Sequence, residues 1–363
     1  MHISEIDTPA IVIDLDVMER NLERAASYAR RHSLRMRPHT KTHKIPALGR
    51  RQIELGAVGL SVAKTTEAEV MLAAGTPDIL VAYPVIGAPK LRRLVDVARQ
   101  AAVTIAVDDP HVAQLASEAA VAAGVEIGVL AEFDAGTGRV GVKAGEELAG
   151  LSRALSEMPG LKWRGVTFYP GHIKDHSAES RAAFERLKAL IPRAVGELEA
   201  AGLKPEIVSG GSTPLLWESH EIAGMNEIRP GTYIFGDRNT IHSGAYKFED
   251  CAATIVCTVV SAHPDRMMID GGSKTFSSDR LVTGSDLDFG EILETPGARF
   301  HKMNEEHGYV DLTACERRFR TGDRVRVLPN HVCVAMNLHE QVYGVRGGEV
   351  AAVWTVEGRG KLQ

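Results

Sequence analysis

Short apolar runs recur along the first two thirds of the chain, each followed by a stretch with helical spacing of its apolar positions. The runs are 34–38, 58–63, 79–82, 103–107, 125–133, 163–169, 207–209 and 227–229. The amphipathic stretches between them include 66–74, 90–101, 110–123, 146–158 and 178–201. Ahead of these, 8–15 reads as a strand and 16–32 as a helix, with Asp16 as cap and an apolar face at Val17, Leu22, Ala25, Ala26 and Ala29. About eight strand–helix units over roughly 200 residues is the size and period of a (β/α)8 barrel. A doubly wound open sheet would carry a glycine-rich phosphate fingerprint early in the chain, and this sequence has none there.

Beyond residue 240 the rhythm changes. Runs at 252–262, 266–269, 324–328, 331–337, 341–346 and 349–357 have strand character with little helical patterning, and glycine pairs at 271–272 and 347–348 supply turns. The expected architecture is α/β, with a (β/α)8 barrel over 16–240 and an all-β domain over 241–363 that segment 1–15 is placed to join.

Composition narrows the function more than the fold. A net charge of −5 argues against a nucleic-acid surface or a polybasic membrane patch, and no apolar run reaches the length of a bilayer span. All four cysteines (Cys251, Cys257, Cys315 and Cys333) lie in the last third, and the first residues carry no signal-peptide pattern. A cytoplasmic setting is therefore expected, with thiol or metal chemistry rather than a disulfide framework.

In a barrel the chemistry gathers at the C-terminal ends of the strands. After the first barrel strand come two histidines and two lysines within six residues, in Arg37-Pro38-His39-Thr40-Lys41-Thr42-His43-Lys44. By itself this stretch fits a basic loop, or a lysine held at the barrel mouth to form a Schiff base. After the seventh strand come Ser209, Gly210, Gly211, Ser212 and Thr213, whose glycines let backbone N–H groups approach an anion beside two hydroxyls. After the eighth, Gly231 and Thr232 offer two more backbone donors, followed by Tyr233. The last two loops of a barrel are a frequent phosphate site. Both together, with a lysine after the first strand, suggest pyridoxal 5′-phosphate: phosphate at loops seven and eight, aldehyde carbon on Lys41.

The sequence resembles the fold-type III pyridoxal-phosphate enzymes, which include alanine racemase, and within them the D-threonine aldolase and D-serine dehydratase group. The matching stretches are Arg37 to Lys44, Asp134-Ala135-Gly136-Thr137-Gly138-Arg139-Val140-Gly141, Tyr169-Pro170-Gly171-His172, Ser209 to Pro214, Arg229-Pro230-Gly231-Thr232-Tyr233, Asp270-Gly271-Gly272-Ser273-Lys274 and Pro329-Asn330-His331-Val332-Cys333. They run through essentially the whole chain in the family's order. The resemblance implies a Schiff base on Lys41, Lys44 as a supporting charge, and Arg139 beside the cofactor ring. It also implies a homodimer with a shared active site, in which one subunit's second domain caps the other's barrel.

His331 and Cys333 form a His-X-Cys pair, which on a strand would put both side chains on one face. Imidazole and thiolate suit zinc, although a buried thiol beside a surface histidine has the same spacing. The resemblance implies a divalent metal, zinc or manganese, on this pair. It also marks a departure: D-threonine aldolases often carry aspartate at the second position and the dehydratases cysteine, and this chain has Cys333. The implied activity is a lyase acting on D-β-hydroxy-α-amino acids, with the metal on the substrate hydroxyl and His172 and Tyr169 as candidate bases. Aldol cleavage would give glycine and an aldehyde. Deamination of the D-serine or D-3-hydroxyaspartate dehydratase type is the alternative, and an amino-acid racemase or a non-catalytic pyridoxal-phosphate carrier is more distant.

Overall fold

The computed structural model describes residues 1–282 and 287–363. The chain divides into two compact units: Arg24–Lys41, Pro46–Gly231 and Lys361–Gln363 form one, and Met1–Glu23, Thr42–Ile45 and Thr232–Gly360 the other. Strands are numbered along the chain, beginning with β1 (Ala10–Asp14) of the second unit.

The first unit is a parallel barrel. Its strands are β2 (Arg35–Met36), β3 (Leu60–Val62), β4 (Asp78–Val81), β5 (Ala102–Val107), β6 (Ile127–Glu132), β7 (Leu161–Thr167), β8 (Ile207–Gly210) and β9 (Glu227–Ile228). They lie in the order β2-β9-β8-β7-β6-β5-β4-β3. A parallel bridge between His39 and Ser61 closes the sheet, with the Ser61 N–H donating to the Pro38 carbonyl at 2.8 Å. Strands covered on both faces read as continuous apolar runs, and every residue of β6 is buried. The helices between them bury one stripe each: Pro110–Ala123 turns Val112, Ala113, Ala116 and Ala120 inward. Asp109 caps its first turn, Pro110 opens it, and Gly124 ends it in the left-handed conformation, φ 63°.

The barrel interior carries charge where such barrels usually stack branched aliphatics. Arg37 is 1% exposed and Glu227 0%. Arg37 sits 3.0 Å from the carboxylates of both Glu227 and Asp78, and Arg164 reaches Asp78 at 2.8 Å. Close above, the Ser209 hydroxyl donates to Glu227 at 2.7 Å and accepts from Arg229 at 2.5 Å.

The second unit is built on a mixed sheet of β1, β10 (Ala253–Ala262), β11 (Arg266–Ile269), β12 (Gly290–Ile292), β13 (Arg299–Met303), β14 (Gly308–Asp311), β15 (Arg324–Pro329), β16 (Gln341–Arg346) and β17 (Glu349–Thr355). The N-terminal strand joins it as expected: β1 lies antiparallel to β10 and parallel to β16. Alternate residues build the core, with Ile11 opposite Ile255, Ile255 opposite Val327, and Cys257 opposite Val325. Gly347 and Gly348, both at positive φ, make the two-residue turn between β16 and β17.

The structure departs from the expectations in four places. The helix Leu15–Arg31 is capped by Asp14 rather than Asp16, because the Asp14 carboxylate accepts the N–H groups of Asp16 and Val17 at 3.0 Å. A further helix, Pro46–Glu54, fills the gap after β2; its buried face (Pro46, Leu48, Gly49 and Gln52) holds too few large apolar residues to show a period. Gly272 opens the short helix Ser273–Phe276 instead of a hairpin. Residues 331–337 are not a strand: Val332–Leu338 is a helix whose first N–H is taken by the carboxylate of Asp237 at 3.1 Å. Val332, Val334 and Met336 alternate as in a strand, but the buried set is Val332, Ala335 and Met336. Among the described residues no helix is long and apolar enough to cross a membrane.

Candidate active site

In the barrel unit, Lys41 follows β2 within the 3₁₀ turn Thr40–Thr42. The Thr40 hydroxyl donates to the Ser61 carbonyl at 3.1 Å and the Lys41 N–H to His39 Nδ1 at 3.4 Å, so the turn is tied to β3 and to its own strand end. The Lys41 side chain is exposed.

After β8 the backbone itself makes a cradle. A Cβ on Gly210 would stand 2.3 Å from the Phe168 ring, and Gly211 has φ 83°. The Ser212 hydroxyl is buried without a hydrogen-bond partner among the described residues. A buried orphan hydroxyl costs about 1–3 kcal/mol unless a ligand satisfies it, so Ser212 fits a bound anion such as a phosphate. Thr213 is buried beside it. Ser209 differs from its expected role, since its hydroxyl is spent on Glu227 and Arg229 inside the barrel.

The loop after β6 meets the loop after β7. Arg139 lies over the Tyr169 ring, 4.7 Å from its centroid, and 4.0 Å from Glu132. Burial pushes the Glu132 carboxyl up, against the pull of Arg229 and Arg139. Asp134 gathers the N–H groups of Gly136, Thr137 and Gly138 at 2.8–3.1 Å, and Asp108 holds that of Gly141 at 2.8 Å. The Thr137 hydroxyl donates to the Tyr169 carbonyl at 2.6 Å and stands 3.3 Å from His172 Nδ1. Burial and Arg186 lower the His172 pKa, with Asp134 opposing.

The second unit holds the other group of candidates. Cys333 Sγ lies 3.2 Å from the hydroxyl of Thr42, which follows Lys41 in sequence, and 3.5 Å from that of Thr232. His331 Nδ1 is 2.9 Å from the Asp279 carboxylate. Burial opposes a thiolate at Cys333, but the His331 imidazole outweighs it and holds the thiol below its usual range. Burial likewise lowers His331, yet Cys333, Asp237 and Asp279 together push it up to about 10. The two side chains thus favour each other's charged forms; with the imidazole proton displaced, imidazole and thiolate are a donor set suited to a soft divalent ion. Among the described residues no group of three or more His, Cys, Asp and Glu side chains converges on a metal position. The expected same-face pairing survives the change from strand to helix, because residue 331 caps the helix and residue 333 lies in its first turn. Tyr233 is 2% exposed, and its carbonyl accepts the Tyr246 hydroxyl at 2.9 Å.

The motifs themselves did not disclose Thr137 and Asp279. Thr137 sits inside the glycine-flanked loop that was singled out, where a lone hydroxyl was the available signal. Asp279 is 52 residues from His331, and no local pattern links them.

Residues 13–239 match the model of the alanine racemase N-terminal domain, and residues 252–345 that of a putative serine dehydratase domain. The chain is 34% identical to a 3-hydroxy-D-aspartate aldolase from Paracoccus denitrificans (strain Pd 1222), over 99% of this chain and 94% of that one. Among solved structures, a D-threonine aldolase from Filomicrobium marinum superposes with a TM-score of 0.91 at 32% identity, covering 99% of this chain and 98% of that one. The D-threo-3-hydroxyaspartate dehydratase from Delftia sp. HT23 does so with a TM-score of 0.89 at 30% identity and 98% coverage of both. The chain belongs to the D-threonine aldolase and D-serine dehydratase family of alanine racemase-like, pyridoxal-phosphate-dependent lyases.

Proposed function

We propose that this protein cleaves D-β-hydroxy-α-amino acids to glycine and an aldehyde, using pyridoxal phosphate and a divalent metal. Lys41 would carry the cofactor, and Ser212, Thr213 and the backbone of Gly210 and Gly211 would hold its phosphate. When bound, the cofactor supplies an electron sink for the pair released at Cα. Arg139, stacked on Tyr169, is positioned to flank its ring. His331 and Cys333 would hold zinc or manganese, and the ion would polarise the substrate hydroxyl. Asp279 orients the His331 ring in the manner of a carboxylate–histidine–metal relay. A variant of the Delftia dehydratase is known in a metal-free form, which supports a metal in this family.

The observation that carries the reading is the half-buried His331 and Cys333 side chains, adjacent to each other and backed by Asp279, a donor pair that a racemase or a simple carrier would not need. His172, its pKa lowered by burial, is the base for the hydroxyl proton, with Tyr169 beside it. One feature favours a second reading: the thiolate ligand at 333 in place of a carboxylate matches the dehydratase pattern, in which a Cα proton is removed and hydroxide leaves. A cytoplasmic homodimer, the second domain of one subunit capping the partner's barrel, completes the proposal. The test is to incubate the purified protein with D-threonine and with D-serine and to assay acetaldehyde, glycine, pyruvate and ammonia. Acetaldehyde with glycine supports cleavage; pyruvate with ammonia from D-serine moves the assignment to dehydration; neither set removes the lyase reading.

A further inference from the structure

The Thr137 hydroxyl has one proton and two neighbours. The Tyr169 carbonyl, at 2.6 Å, has only lone pairs to offer and must receive that proton. His172 Nδ1, at 3.3 Å, therefore faces oxygen lone pairs, a contact that is favourable only when Nδ1 carries a hydrogen. A neutral imidazole protonated on Nδ1 has its lone pair on Nε2, and no hydrogen bond to Nε2 is formed among the described residues. The ring lies over Gly136, where an added Cβ would stand 3.1 Å from Cε1 and from Nε2. Thr137 is itself held, since its N–H donates to Asp134 at 2.8 Å.

We propose that Thr137 is a positioning residue that locks His172 in the Nδ1–H tautomer, leaving Nε2 bare as the proton acceptor of the lyase reaction. The inference rests on the function proposed above and adds the residue that makes its base competent. In the cleavage direction Nε2 takes the β-hydroxyl proton, the O–H pair becomes the aldehyde C=O, and the Cα–Cβ bond breaks. The pair from that bond stays with the glycine fragment, which is then protonated at Cα. No oxidant or reductant is consumed. The ring is neutral and ready at neutral pH because burial and Arg186, on the helix Ala178–Ala200, outweigh Asp134 from the neighbouring loop. With the opposite tautomer Nε2 would present N–H to the hydroxyl and could accept nothing.

The test uses the holoenzyme labelled with ¹⁵N-histidine, and a His172→Gln variant assigns the signal. The expected spectrum at pH 8 shows His172 neutral, with the proton on Nδ1 and Nε2 bare. Thr137→Val should shift His172 toward the Nε2–H form and lower kcat on D-threonine about 10²-fold, the scale of a general base, with KM little changed. Thr137→Ser keeps the hydroxyl and should restore both the tautomer and kcat to within about threefold. An Nε2–H tautomer in the unmodified protein overturns the proposal, even if the valine variant does not fold. So does a valine variant that loses activity with the tautomer unmoved. If the tautomer behaves as expected but no D-β-hydroxy amino acid is consumed, the lock stands and the proposed function falls.

Discussion

In the barrel unit the candidate centre is made of loop backbone: glycines at which a side chain would clash or be strained, a buried hydroxyl with no partner among the described residues, and a lysine on a turn tied to the neighbouring strand β3. In the β unit it is made of two side chains at the start of one helix, with His331 paired to the Asp279 carboxylate and the Val332 N–H bound by that of Asp237. The first plan presents fixed dipoles to an anion. The second presents ionisable ligands whose charges depend on each other. The difference suggests a division of labour, in which one centre retains a cofactor and the other acts on the substrate hydroxyl.

The sharpest way to break that division is at Lys41. Lys41→Ala should abolish the visible absorbance of the lysine-bound cofactor together with all turnover, and borohydride reduction with peptide mapping should place the adduct on Lys41 in the unaltered protein. An adduct on Lys44 or Lys64 would remove the assignment.

Cys333→Ala should do the reverse, keeping the absorbance and losing about 10²- to 10³-fold in kcat, the several kcal/mol a Lewis acid supplies. A chelator should reproduce this, and added zinc or manganese should reverse it. Full activity after chelation would merge the two roles and bring the racemase and carrier readings forward.

The pH profile comes next in size. The proposed base is neutral His172, whose pKa is lowered from 6.5 by burial. Activity should therefore be level above pH 6.5 and fall about tenfold per unit only once pH drops below that lowered value. An acid limb centred above 6.5 would point to a different base.

Ser212→Ala is the mildest test. Removing one hydrogen bond to a charged phosphate, about 1.5–3 kcal/mol, should weaken cofactor affinity roughly 10- to 150-fold with kcat unchanged at saturating cofactor. Tighter binding would mean that the orphan hydroxyl faces something other than the phosphate.

The barrel rhythm was legible because parallel strands covered on both faces spell continuous apolar runs, and β3 to β8 fall inside or within two residues of the expected segments. What escaped was set by partners distant in sequence. The alternating Val332-Val334-Met336 stretch is a helix, and the carboxylate that takes its first N–H, Asp237, lies 95 residues away. Ser209 reads as a loop hydroxyl, yet Glu227 and Arg229 draw it inward. Arg37 opens the basic motif and looks solvated, while the fold buries it between two carboxylates. Spacing along a chain reports faces and periods. It carries no information on which charge will meet which across a closed sheet.

That charged layer also limits how the sequence can drift. Arg37, Asp78, Arg164 and Glu227 neutralise one another inside the barrel. Losing one member strands the others, at about 3–5 kcal/mol, against a typical total margin of 5–15 kcal/mol. An apolar replacement of the whole set could be tolerated, but each single step toward it is costly. Descendants of this sequence should therefore either keep all four residues or exchange them jointly, and variants at these sites should show strong epistasis, in contrast to the near-additive behaviour of well-separated core positions.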